Sequence, residues 1–331
     1  MHIPDGFVDG KTALAAGALA AAGLGVALRT VRRAFPPRRV PLIGLAAAFV
    51  FAAQMLNFPV AGGTSGHLIG AVLAAVLLGP SAAVLVMSSV LILQCFMFAD
   101  GGVTALGANV FNMALVAPGV GYAVFAVVRR IAGESRRSLL LATAFASWCS
   151  TVAAAIACAG QLAVSGTVVW GVALPAMAGV HMLIGIGEAV ITTLVIAAVA
   201  GVRPELLRES ASPEARPRYA ELAAYGLLVS LGLAVFVAPF ASGWPDGLER
   251  AAAALGFHAT AARAPLFAAP LPEYVVPGLG SAVSSTVVAG SVGTLLAFGL
   301  AYLLARLLTP PGDAARRGSP RGGAPRASAA A

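Results

Sequence analysis

The residues best suited to chemistry stand at the start of the chain, Met1-His2-Ile3-Pro4-Asp5-Gly6-Phe7. The amine of Met1, the amide nitrogen between Met1 and His2, and imidazole Nδ1 of His2 can close fused five- and six-membered rings on one metal ion. Nitrogens linked in this way fall into one plane. A fourth would complete a square, a geometry that suits Ni(II) or Cu(II) better than tetrahedral Zn(II). His67, in the flexible turn Gly62-Gly63-Thr64-Ser65-Gly66-His67, is the obvious fourth donor. On the residues alone a second reading stands beside this one: an exposed histidine on a mobile chain end.

The elements that must position these donors are apolar helices. Apolar residues make up 59% of the chain and charged residues only 10%, with a mean hydropathy of +0.91. Soluble domains carry roughly 25% charged residues, so the composition implies an all-α integral membrane protein. The net charge of +8 does not point to nucleic acid, because the arginines fall in short clusters between apolar spans. Cys95, Cys149 and Cys158 lie in apolar runs without zinc-site spacing and read as small packing residues.

Two N-terminal look-alikes fail. A signal peptide would need a basic start, yet Asp5 and Asp9 precede Lys11. Gly6-Phe7-Val8-Asp9-Gly10-Lys11-Thr12 is one residue short of a phosphate-binding loop and no strand precedes it.

The first span, from about residue 12 to 28, ends in Arg29, Arg32, Arg33, Arg38 and Arg39, which places Met1 outside. A second, about 41–58, returns and delivers His67 to the same face. Two shorter apolar segments, about 68–79 and 82–98, break at Gly79-Pro80. Spans at about 110–128 and 138–162 flank Arg129, Arg130, Arg136 and Arg137. The stretch of about 167–200, interrupted by Pro175, reads as a partly re-entrant segment leading into a seventh span. An eighth (about 221–239), an outer loop and a ninth (about 281–305) follow. Nine spans, N-out and C-in, leave only Lys11, Arg250 and Arg263 outside. The Gly/Pro/Ala/Arg tail of residues 309–331 is expected to be disordered.

Several separate motifs then carry a resemblance. The opening heptad, Ala53-Gln54-Met55-Leu56-Asn57-Phe58-Pro59, Gly63-Thr64-Ser65-Gly66-His67, Phe98-Ala99-Asp100-Gly101-Gly102, Asn109-Val110-Phe111-Asn112 and His181-x-x-Ile184-Gly185-x-Gly187-Glu188 occur in that order. Over residues 1–205 the chain resembles the substrate-capture subunit of energy-coupling-factor nickel/cobalt importers, the CbiM/NikM type. Trp244-Pro245-Asp246-Gly247-Leu248-Glu249 resembles the PDGLE domain, a two-helix accessory module at residues 221–308, joined by a cytoplasmic linker at 206–220.

The resemblance implies a bundle of about seven helices plus the two-helix module, in the plasma (inner) membrane of a bacterial-type cell. It implies that Met1, His2 and His67 hold the ion through amine, amide and two imidazoles, as substrate rather than cofactor. His2, being bulky, should block removal of the initiator methionine, although deformylation is needed to free the amine. Partners would be a transmembrane coupling (T) subunit and two ATPases, with the lipid bilayer around them and no nucleic acid. The chain itself would not be an enzyme, in keeping with its lack of a nucleotide motif. The family serves nickel supply and cobalamin biosynthesis alike, and the residues quoted do not separate the two ions.

Asn57, Ser65 and His181 are candidates to orient the ligands by hydrogen bonds, or simply to tie helices together. Glu188, seven residues after His181, reads as a buried structural partner or a proton relay, and His258 as a solvated residue or a low-affinity acquisition ligand. Ala48-x-x-x-Ala52 offers a small-residue face to a coupling subunit. A metalloenzyme is disfavoured by the lack of an H-E-x-x-H pair. The alternative that survives is a self-sufficient secondary transition-metal transporter.

Overall fold

The computed structural model describes residues 1–207, 219–261 and 266–309. The expected linker, with Arg208, Arg216 and Arg218, lies largely outside them. So do Arg263 and the tail carrying Arg316, Arg317, Arg321 and Arg326.

The chain is built from helices: α1 (Gly10–Ala34), α2 (Val40–Gln54), α3 (Ala71–Leu78), α4 (Pro80–Phe98), α5 (Leu106–Ala132), α6 (Arg136–Val164), α7 (Trp170–Val202), α8 (Tyr219–Phe236), α9 (Gly247–Leu255) and α10 (Ala282–Leu308). A short antiparallel hairpin, β1 (Phe58–Val60) and β2 (Thr64–Gly66), stands between α2 and α3, with Phe58 opposite Gly66. Seven helices among the described residues are long and apolar enough to cross a membrane: α1, α4, α5, α6, α7, α8 with the turn after it, and α10. Large apolar side chains such as Leu19, Val127, Leu194, Leu228 and Leu303 face outward, as on helices whose solvent is hydrocarbon. This is a multi-pass membrane protein.

All nine expected segments form helices, α1–α7, α8 and α10, but α2 and α3 are too short to count among those seven. α2 has only 15 residues, because the chain leaves the helix before Asn57-Phe58-Pro59 to enter the hairpin. α3 has 8, opening at Gly70 in the left-handed region and closing at Gly79 before Pro80. At about 1.5 Å per residue each is shorter than the roughly 30 Å hydrocarbon core. The interrupted stretch is no re-entrant segment: α7 runs unbroken for 33 residues. Pro175 falls in its second turn, where the ring removes one backbone bond without ending the helix.

Caps set the remaining boundaries. Asp9 accepts from Thr12 N at 3.0 Å and starts α1; Ser135 accepts from Ser138 N at 3.1 Å and starts α6. α8 and α10 pack on α2, and Gly293 allows the closest approach, since a Cβ there would lie 2.1 Å from the Phe51 ring. Ala48 and Ala52 are both fully buried within the chain, so that small-residue face is not open to another subunit. At one end of the bundle Arg39 ties α3 to the end of α7, donating to Leu77 O at 2.8 Å and Leu206 O at 3.3 Å.

Candidate metal-ion site

The chain end is packed, not mobile. Met1, Ile3 and Phe7 are all buried. Asn109 grips Ile3 from both sides: Ile3 N donates to Oδ1 at 2.8 Å, and Nδ2 donates to Ile3 O at 3.1 Å. Gly102 N also donates to Ile3 O at 2.8 Å, and a Cβ at Gly102 would sit 2.2 Å from Asp5 N. The Phe98-Ala99-Asp100-Gly101-Gly102 turn is thus shaped to accept the N-terminal peptide. Asp5 takes bonds from Thr104 N and Oγ1 at 2.8 and 2.6 Å, and Thr167 Oγ1 donates to Phe7 O at 2.6 Å. The π-helical turn Val110–Val116 follows Asn109 directly, and such turns concentrate at functional sites.

This docking brings the Met1 amine to 2.8 Å from Nε2 of His67. His67 Nδ1 faces Leu68 O at 3.1 Å. The proton therefore belongs on Nδ1, leaving the Nε2 lone pair directed at the amine. Burial, aided by the Met1 ammonium and His2, pushes the His67 pKa down to about 3, so the ring is neutral and able to ligate near neutral pH. The segment after it is fixed by Glu188, which accepts from Ile69 N at 2.5 Å and Gly70 N at 2.9 Å. Glu188 is a structural acceptor at the start of α3.

His2 stacks on His67, with ring centroids 5.3 Å apart and planes at 19°. Its Nδ1 lies 3.0 Å from Asp100 Oδ1 and its Nε2 is 3.2 Å from Gln94 Oε1. Gln94 in turn donates to Gln54 Oε1 at 2.8 Å, and Gln54 donates to Ile69 O at 2.9 Å. A chain of amides therefore links His2 to the His67 segment. Tyr274 donates to Asp100 Oδ2 at 2.6 Å and stacks on Phe98 at 4.6 Å. Burial and Asp100 hold its hydroxyl well above the ordinary tyrosine range, so it remains a donor.

The segment between α8 and α9 closes the other side. Asp246 pairs with the Met1 amine. Burial works against its charge, but the Met1 ammonium and His67 outweigh this and hold the carboxyl well below the usual range. Asp100 behaves likewise through His2 and Tyr274. A cavity of about 10 Å³, lined by Met1, His67, Thr151, His181 and Asp246 among others, adjoins the amine. Among the described residues no group of three or more His, Cys, Asp or Glu is arranged to hold a metal. The donor cluster here includes nitrogens of the chain end.

Met1, His2 and His67 are brought together, although His2 Nδ1 faces Asp100. Of the orienting candidates, buried His181 lines the cavity and donates from Nδ1 to Met177 O at 2.7 Å. Ser65 binds the α8–α9 segment, donating from Oγ to Trp244 O at 2.6 Å. Asn57 meets that segment through its backbone, accepting from Ser242 N at 2.8 Å. His258 is exposed. Asp246, Tyr274 and Gln94 were not singled out from sequence. Asp246 stood in a quoted motif, the one signal available.

The architecture defines a multi-pass helical membrane protein with its N-terminal peptide folded into a histidine-lined pocket. Comparison with known proteins is specific. Residues 2–206 match the family model for the CbiM cobalt uptake substrate-specific transmembrane region, and residues 220–310 match the PDGLE domain. A putative fused nickel transport protein NikMN of Archaeoglobus fulgidus is 39% identical over 309 residues, 92% of this chain and 98% of that protein. The fused nickel transport protein NikMN of Rhodobacter capsulatus is 38% identical over 246 residues, 70% of this chain and 71% of that one. A crystal structure of a truncated transition metal transporter superposes with a TM-score of 0.56 at 36% identity, covering 61% of this chain and 99% of that one. The chain belongs to the CbiM/NikM family of nickel and cobalt transport proteins, in the form that carries a PDGLE domain.

Proposed function

We propose that this protein is the ion-capturing membrane component of an energy-coupling-factor importer for Ni2+ and/or Co2+. Residues 1–205 form the capture unit and 221–308 the accessory unit. Met1 supplies its amine and the Met1–His2 amide, His2 its Nδ1 and His67 its Nε2. The observation that carries this reading is the buried contact of the Met1 amine with His67 Nε2 at 2.8 Å. His2 exchanges Asp100 for the ion, and the bound ligands carry fewer protons than the free ones, so binding weakens in acid.

The basic clusters favour an orientation with the site outside. A coupling subunit and two ATPases on other chains drive reorientation and release. The test is nickel uptake by cells carrying this chain and those partners. Uptake should stop when the ATPases are inactivated and persist under a protonophore. Uptake by this chain alone, abolished by the protonophore, would instead make it a secondary transporter.

A further inference from the structure

Two side chains of the accessory part reach the N-terminal peptide: Phe257 packs edge-on against Phe7, and Asp246 meets Met1, its two oxygens having separate tasks. Asp246 Oδ1 accepts from Leu248 N at 2.8 Å and Glu249 N at 2.9 Å, capping α9. Oδ2 takes the Met1 amine. The cap needs only an acceptor oxygen, whereas the pairing needs the charge.

The backbone on either side is locked to the capture part. Ser65 N donates to Pro245 O at 2.8 Å, beside the Ser65 bond to Trp244. Gly247 abuts His181, and a Cβ there would fall 2.7 Å from Cε1 and 3.0 Å from Ile184 Cδ1. The reach of Asp246 towards Met1 is therefore set by a tightly seated segment.

We propose that Asp246 is the positioning residue through which the accessory segment sets the Met1 amine beside His67, so that seating this segment and assembling the ion site are one event. This rests on the reading of Met1 and His67 as ligands. It assigns Asp246 no bond to the ion: the carboxylate holds the amine in place until the ion takes it. The PDGLE motif then has a stated task. Its aspartate fixes the chain end, and its glycine lets that aspartate come close enough.

The test uses the full chain in detergent, with two readouts. The first is acylation of the Met1 amine by a water-soluble succinimidyl ester, measured by peptide mass. Lys11, the only lysine and exposed, serves as internal reference. The second is Ni2+ retained after equilibrium dialysis. Asp246→Asn keeps an acceptor oxygen, and asparagine caps helices about as well as aspartate; the charge alone is lost. We expect Met1 labelling relative to Lys11 to rise at least several-fold and Ni2+ affinity to fall roughly tenfold, the lower end of what ligand-orienting partners contribute.

Gly247→Ala, which keeps the carboxylate but wedges the segment away from His181, should reproduce both changes. Unchanged labelling in both variants, with Ni2+ still bound, overturns the clamp and leaves the ligand reading intact. Raised labelling with unaltered Ni2+ affinity overturns the proposed link between seating the segment and assembling the ion site, and leaves the ligand reading to the Met1-extension variant.

Discussion

The two histidines of the pocket are held in different ways. His67 sits on rigid scaffold: its Nδ1 is tied to the adjacent carbonyl and the next two amides are held by Glu188. The accessory part meets this segment two residues earlier, through the bonds of Ser65 to Trp244 and Pro245. His2 has no such local support. Asp100, Gln94 and the stack on His67 hold its ring, and Asp100 is itself held by Tyr274 of the accessory part. The His67 half is held mainly by its own segment and Glu188, and the His2 half by contacts from several separate elements. A site so divided can have a stable entry ligand and a chain end that docks over it.

The largest effects are expected at the donors themselves. Adding one residue before Met1, His2→Ala or His67→Ala should each lower Ni2+ affinity by at least about 100-fold, the upper end of what orienting partners alone contribute. Circular dichroism should show the helices intact. Next is the rigid half. Glu188→Gln offers one acceptor where two backbone donors point, leaving a buried group unsatisfied at about 1–3 kcal/mol. Both Tm and Ni2+ affinity should fall, and the Met1 amine should stay as protected as before.

In the assembled half Tyr274→Phe loses a bond to a charged acceptor, about 1.5–3 kcal/mol if none of it is recovered from water. The expected result is up to about tenfold weaker binding, with a smaller loss of Tm than for Glu188→Gln. Proton counting sharpens the same contrast. His67, with its pKa lowered by burial to about 3, binds no extra proton between pH 8 and 5. Its own protonation should therefore not weaken Ni2+ binding over that range, and calorimetry in buffers of different ionisation enthalpy should record any protons released on binding. The smallest effect is expected from His258→Ala: none on tight binding, since the side chain is exposed.

The legible parts of the site were those fixed by covalent proximity. Met1 and His2 are neighbours whose nitrogens could close chelate rings, and the structure brings the Met1 amine to His67. The long apolar helices were legible too, since period and length suffice for them. What was not legible depended on contacts far apart in sequence. Asp246 meets Met1 across 245 positions and Tyr274 meets Asp100 across 174, with no local pattern to announce either. Composition also could not separate a short α3 from a full span, nor show that Pro175 in α7 would be absorbed within a turn. Ser65 and Asn57 stand out by type as ligand-orienting candidates, but Ser65 turns to Trp244 and Asn57 accepts from Ser242 through its backbone, both on the accessory segment.

The proposed function requires an ion held by nitrogens of the chain end together with His67. Metal analysis with an absorption spectrum, on protein with its native Met1 and on a copy extended by one residue, tests it most directly after exposure to equal Ni2+ and Co2+. The account predicts one ion per native chain, with the weak band of a planar nitrogen complex if the ion is nickel, and none retained by the extended copy. Equal metal content and equal spectra in the two would contradict it.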